Sequence, residues 1–357
     1  MNRRTFCQAV AGLTAGLFLT GTGDPAHAHP TLAPTPMPHR QAAPQTSRVA
    51  FVRTRDRVEG IRRALALLEL NPVQEKHVLL KPNYNSADPA PGSTHPDTLQ
   101  TLVAALEEMG AESLTVGDRS GMGQTRRVFE RCGVLRMAEE LAFHTLVFDD
   151  LGIDGWALLT PEDSHWQDGF PVPRALLNAE SVVQTCNLKT HGFGGHFTLS
   201  LKNSVGLVAR QLPGQRHNYM SELHSSRHMR AMIAEINLAY TPDLIVLDGV
   251  RAFVNGGPAS GTVVDTQVIL AGTDRVAIDA VGVALLRYAG TTPQVSQGAI
   301  FEQAQIARAV ELGLGVSRPE DIELITDDRA SAVYAAEVRQ ILLGADRSDV
   351  NLSLLAQ

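Results

Sequence analysis

Between Val182 and Val208 the chain reads VVQTCNLKTHGFGGHFTLSLKNSVGLV, and this stretch holds the densest chemistry in the sequence. Lys189, His191, Gly192, Gly194, Gly195, His196 and Lys202 fall within 14 positions. Glycines let backbone N–H groups approach a ligand, and a helix beginning after them adds partial positive charge. With Lys189 and Lys202, the expected ligand is a phosphate or carboxylate. The plain alternative is a structural turn carrying two lysines. The phosphate-loop pattern G-x-x-x-x-G-K-[ST] is absent, and the glycines do not complete a dinucleotide fingerprint, so the ligand's identity stays open.

Histidine titrates near neutrality, which makes His191 the acid/base candidate, with Lys189 and Asp248 as further catalytic candidates. His191, His196 and His217 are the candidate metal ligands. His224 and His228, spaced i,i+4 on an expected helix, are a weaker metal pair, and no H-E-x-x-H motif accompanies them. Lys81, Asn83, Asp118, Lys202 and Asn203 are expected to bind the ligand, with Gly192, Gly194, Gly195 and Asn255 supplying loop contacts. Asp118 and Asp248 each end an apolar run, where an acid can bind a metal, a hydroxyl or an amine, or simply cap a helix. Asp279, inside VAIDAVGVALL, reads first as a structural acid with a buried partner.

The elements that must position these residues alternate. Val49–Val52, His77–Leu80, Ser113–Val116, Thr145–Phe148, Leu244–Leu247, Gln267–Leu270 and Glu323–Thr326 read as strands. Helical spacing runs over 56–70, 95–109, 124–141 with a break near Gly133, 224–240, 274–288, 300–312 and 328–344. This order predicts an α/β fold, a mostly parallel sheet with helices on both faces, and an irregular insertion or cap around 150–175. Ligands of such sheets bind beyond the strand carboxyl ends, where Lys81, Asp118, Lys189 and Asp248 all fall. One shared cleft is the expectation.

The chain ends carry other signals. Arg3-Arg4-Thr5-Phe6, a short apolar run and Ala26-His27-Ala28 read as a twin-arginine export signal over 1–28, with an ordinary secretory signal or uncleaved anchor as the alternative. The apolar run is too short to span a bilayer. The mature chain is therefore expected to be a periplasmic or otherwise extracytoplasmic protein without a membrane span, partnered during export by the twin-arginine translocase. Residues 29–47 are proline-rich and read as a mobile linker, 48–345 as one α/β domain and 346–357 as a tail.

Composition narrows the field. The 357 residues are 44% hydrophobic with net charge -7, which argues against a nucleic-acid binder. After signal cleavage only Cys132 and Cys186 remain, so an intrinsic all-cysteine iron–sulfur cluster is not expected, whereas a metal or another cofactor stays open. An oxidising compartment would allow a Cys132–Cys186 disulfide, which a domain of this size does not need.

The blocks VLLKPN (78–83), HPDTLQTLVAALEEMGAESLTVGD (95–118), NLKTHGFGGHFTLSLKNSVGLV (187–208), PDLIVLDGV (242–250), NGGPASG (255–261) and ILAGTDRVAIDAVGVALL (269–286) resemble the domain of unknown function 362 family. That resemblance implies one module over most of 49–315, with matched polar positions at Lys81, Lys189, His191, Lys202, Asn203, Asp248 and Asp279. The family occurs largely in bacteria and archaea, and some members carry ferredoxin-type modules, which implies a redox partner protein as one possible setting. This sequence departs from them in lacking C-x-x-C spacing. The leading expectation is an exported protein binding a small anion, enzymatic if His191 acts as acid/base. The alternatives are a metal or cofactor carrier and an accessory protein of a redox assembly.

Overall fold

The computed structural model describes residues 32–38, 43–194 and 196–352. The export signal at 1–28 and Gly195 lie outside the described residues. Thirteen strands are described: β1 (Pro34–Thr35), β2 (Ser47–Arg53), β3 (His77–Lys81), β4 (Ser113–Asp118), β5 (His144–Val147), β6 (Trp156–Leu159), β7 (Phe170–Pro173), β8 (Ser181–His191), β9 (His196–Thr198), β10 (Leu244–Gly256), β11 (Gly261–Val264), β12 (Val268–Gly272) and β13 (Ile322–Ile325).

The main sheet runs β13-β2-β12-β10-β8-β3-β4-β5, with β11 paired to β10 and β9 to β8. Along this path only β12 is antiparallel to its neighbours. The expected α/β class and mostly parallel sheet are therefore what forms. Alternating residues of one strand serve opposite faces. Leu244 and Val246 of β10 pack with the Arg57–Leu68 and Pro96–Glu108 helices, while Ile245 and Leu247 pack with the Arg275–Ala289 and Arg329–Leu342 helices. Both faces are covered, as near-continuous apolar strands require.

Helix starts follow local capping chemistry. Asp56 accepts from Glu59 N, His95 from Asp97 N ahead of Pro96, and Asp274 from Val276 N and Ala277 N. Such caps satisfy backbone donors that a helix leaves open and contribute about 1 kcal/mol each.

Four expectations need correction. The insertion at 150–175 is regular: β6 and β7 form an antiparallel pair, extended by β1, and bury Trp156, Trp166 and Phe170 against Leu79 and Val182 of the main sheet. The linker at 29–47 is partly docked, because Pro34–Thr35 pair with Leu158–Leu159 while Leu32 and Met37 pack on that same cluster. Apolar side chains among the prolines give it something to bury. Third, 224–240 is not one helix. Helices Tyr219–Ser225 and Met229–Ile236 are separated where Ser226 turns extended, so His224 and His228 do not share a helical face. The described part of the 346–357 tail is also docked, with Val350 buried in the core.

Candidate functional site

The strand order places β8, β3 and β4 side by side, and their carboxyl ends carry Lys189, Lys81 and Asp118. These residues line one cleft of about 410 Å³, a size usual for small-ligand sites. Lys81 Nζ donates to Asp118 Oδ1 at 2.8 Å, to Pro82 O at 2.6 Å and to Asn203 Oδ1 at 3.1 Å. An ammonium has three N–H groups, so Lys81 is saturated and acts as a strut rather than a free ligand donor. Asp118 also accepts from Tyr84 N and Arg119 N. Burial pushes the Asp118 carboxyl up and the Lys81 ammonium down, against the attraction between them.

Asn83 joins the two lysines. Its Oδ1 accepts from Lys189 Nζ at 2.8 Å, and its Nδ2 donates to Asn203 Oδ1 at 3.1 Å. Lys189 also donates to Gly92 O. Asn203 in turn donates to Thr185 O of β8. Asn203 and Lys202 lie on the short Ser200–Asn203 helix, whose first N–H groups, Ser200 N and Leu201 N, donate to Asp279. Asp279 is thus the positioning acid that its apolar setting suggested, and burial raises its pKa to about 8.

Lys202 and Lys189 differ from Lys81. Both are buried, and among the described residues neither contacts a carboxylate. Lys202 Nζ lies 3.3 Å from His191 Nε2, while His191 Nδ1 accepts from Phe193 N. Burial, then Arg119, lowers Lys202 to about 8; burial, then Lys202, lowers Lys189 to about 7. Burial followed by the two lysines drives the His191 pKa far below its ordinary value, so the imidazole is neutral. With Nδ1 accepting from Phe193, the ring proton sits on Nε2 and faces Lys202.

Several contributors escaped the sequence reading. Arg119 lines the cleft and spends its guanidinium on Val208 O, Ser120 O and Val205 O, fixing the 205–208 segment while adding charge. Arg210 joins it. Among the described residues the cleft is therefore lined by Lys81, Arg119, Lys189, Lys202 and Arg210 against the single carboxylate of Asp118, in a chain whose net charge is -7. Gly206 lines the same wall, where an added Cβ would stand 2.5 Å from Asp118 Oδ1 and 2.9 Å from Lys81 Nζ. Only glycine lets that backbone pass the buried pair. Thr198 and Asn85 line the cleft too, and Thr198 Oγ1 and Asn85 Nδ2 are buried without a hydrogen-bond partner among the described residues. His224 lines it, with Nδ1 donating to Met220 O.

Other expected site residues fall elsewhere. Asp248 does not reach the cleft. As an even-numbered residue of β10 it faces the Arg57–Leu68 helix, where its carboxylate takes Arg57 Nε at 2.7 Å and Thr98 Oγ1 at 2.8 Å. Its expected catalytic part is replaced by a structural one. Asn255 is exposed and does not line the cleft. Gly192 N donates to Gly257 O and Gly194 O accepts from Arg230, so these loop groups serve the fold; Phe193 between them is the cleft-lining residue. The histidine trio is not brought together: His196 contacts Arg230, His217 contacts Glu222, and among the described residues no group of three His, Cys, Asp or Glu side chains could hold a metal. Cys132 and Cys186 are both free. Among the described residues no helix is long and apolar enough to cross a membrane.

Residues 78–284, which carry β4, β8, all of β3 but His77 and the whole Lys189–Asn203 segment, match the family described as a domain of unknown function, DUF362. The chain belongs to that family. It is also similar to a thylakoid-associated protein of Synechocystis sp., 27% identical over 255 residues, covering 70% of this chain and 74% of that protein.

Proposed function

We propose that this member of the domain of unknown function 362 family binds a small anionic molecule in the cleft at the carboxyl ends of β8, β3 and β4. The observation that carries the reading is the pair Lys189 and Lys202, buried in one cleft with no carboxylate partner among the described residues. Burying cations without a counter-charge is costly, and proteins keep such an arrangement where a ligand supplies the missing charge. Lys202 is the main clamp, since His191 Nε2, at 3.3 Å, is the one polar side-chain contact it makes among the described residues and supplies no counter-charge. Lys189 is the second. Asn83, Asn203, Lys81 and Asp118 hold both in place.

If the protein is an enzyme, His191 offers Nε2–H as a hydrogen-bond donor to its substrate, because the neutral imidazole lines the cleft and its Nδ1 is taken by Phe193 N. A cofactor carrier would use the same cleft without turnover. The pattern at residues 1–28 supports twin-arginine export to an extracytoplasmic compartment, and the thylakoid association of the relative is in keeping with a setting at a membrane system. Native mass spectrometry of the exported protein, followed by titration with inorganic sulfate, tests the proposal. A co-purifying anion, or sulfate binding that Lys202→Gln abolishes, is the expected result. An empty protein that ignores sulfate would remove the proposal.

A further inference from the structure

The lysines of this chain are few and concentrated. There are four in total, Lys76, Lys81, Lys189 and Lys202, against 27 arginines (31 basic residues less four). Three of the four line the cleft; Lys76 instead donates to Pro72 O outside it. Arginine carries the charge almost everywhere else, including Arg119 and Arg210 in the cleft itself. Arginine stays charged, whereas lysine can give up its proton and become a nucleophile. Lysine at these positions therefore points to a need for an amine as well as for charge.

The three cleft lysines are not equivalent. Lys81 has three acceptors, a carboxylate at 2.8 Å among them, and these occupy all the N–H groups of an ammonium. Lys202 faces the imidazole of His191. Lys189 has two acceptors, Asn83 Oδ1 and Gly92 O, both uncharged. Two neutral acceptors satisfy an amine's two N–H groups and leave its lone pair unengaged. Thr198, paired with Lys189 across β8 and β9, brings to the same cleft a hydroxyl without a hydrogen-bond partner among the described residues.

We propose that Lys189 forms an imine with the carbonyl group of an anionic 2-oxo acid whose carboxylate is held by Lys202. The inference rests on the anion-binding reading and narrows its ligand to carbonyl-bearing acids. The Lys189 amine adds to the carbonyl carbon, and an N–H proton passes to the carbonyl oxygen to give a carbinolamine, which Thr198 Oγ1 is placed to hydrogen-bond. The carbinolamine hydroxyl then leaves as water, taking a second proton from nitrogen. Amine and carbonyl become imine and water, with no oxidant or reductant required. Burial and the neighbouring charge of Lys202 keep Lys189 near half-deprotonated at neutral pH, at about 7, as the addition requires.

With only four lysines, a trapping experiment is unambiguous. The full exported chain is mixed separately with pyruvate, glyoxylate and 2-oxoglutarate, reduced with sodium borohydride, and analysed by intact mass and peptide mapping. The expected result is a single adduct on Lys189, suppressed by sulfate and reduced more than about tenfold in Lys189→Arg. The wild-type map alone decides the assignment if that variant folds poorly. No adduct with any of the three acids, or an adduct centred on Lys76, Lys202 or the chain's amino terminus, overturns the proposal. Sulfate titration of the same sample separates the two claims: binding without an adduct removes the imine and leaves the anion site standing, whereas loss of both removes both.

Discussion

Lys189 Nζ and Asn83 Oδ1 lie 2.8 Å apart although 106 residues separate them in sequence. That contact, continued through Asn203 to Lys81, turns three separate strand ends into one site. It also ranks the lysines. The network saturates Lys81 and leaves Lys202 and Lys189 as the groups that a ligand would change.

Anion binding should draw protons into the cleft. Lys202 and Lys189 are depressed to about 8 and about 7, so the empty site is partly unprotonated near neutrality, and a bound anion raises both. Affinity for sulfate, whose own charge is constant over this range, therefore increases as pH falls from about 9 to about 6, by up to about tenfold per pH unit for each proton taken up. The sign for stability is opposite in the empty protein. The unfolded lysines, with pKa values of about 10.4, hold protons that the folded ones lack, so these two groups add stability as pH rises from their folded values towards about 10.4. Calorimetry at several pH values in buffers of different ionisation enthalpy measures the uptake; pH-independent sulfate affinity would contradict it.

Gly206→Ala should damage the site while leaving the rest of the fold in place. Its Cβ would stand 2.5 Å from Asp118 Oδ1 and 2.9 Å from Lys81 Nζ, so the buried pair must move. A cost of about 1–3 kcal/mol is expected from the overpacking, with loss of sulfate affinity. Chemical denaturation and sulfate titration of one preparation check both.

Asp279 holds the helix that carries Lys202. Asp279→Ala leaves Ser200 N and Leu201 N without their acceptor and should cost about 1–3 kcal/mol. Asp279→Asn keeps an acceptor oxygen and should cost less. Because Asp279 is raised to about 8, its stabilising contribution is complete below the unfolded value near 3.8 and is lost as pH rises through about 8. The asparagine variant lacks that loss, so it gains on the wild type as pH rises. Denaturation midpoints of the two proteins across that range give the comparison, and a constant difference would refute it.

Asp248→Ala separates structure from binding. The change strips Arg57 and Thr98 of their shared acceptor and should cost about 3–5 kcal/mol, as expected for a broken buried ion pair. Sulfate affinity of the folded fraction should stay unchanged, since Asp248 does not line the cleft. A selective loss of binding at unaltered stability would return Asp248 to the site.

What the sequence conveys follows from which information is local. Lys81, Asp118 and Lys189 are legible because each ends an apolar run, and parallel strands bring such ends together. Asp248 ends a run as well, but the face it serves depends on the phase of β10, which no local pattern states. Arg119 and Gly206 matter only because residues 205–208 fold back over the end of β4, a contact spanning 86 residues between Arg119 and Val205. The metal reading of His191, His196 and His217 rested on closeness in sequence. The β8–β9 turn pairs the backbones of His191 and His196, yet the three side chains contact Lys202, Arg230 and Glu222 respectively.

Sulfate calorimetry on wild type, Lys202→Gln and Lys76→Gln tests most directly whether the buried lysines without a carboxylate partner form an anion site. The account predicts one site in wild type, an affinity loss of more than about tenfold in Lys202→Gln, and no change in Lys76→Gln, whose lysine lies outside the cleft. Equal affinity in all three proteins would contradict it.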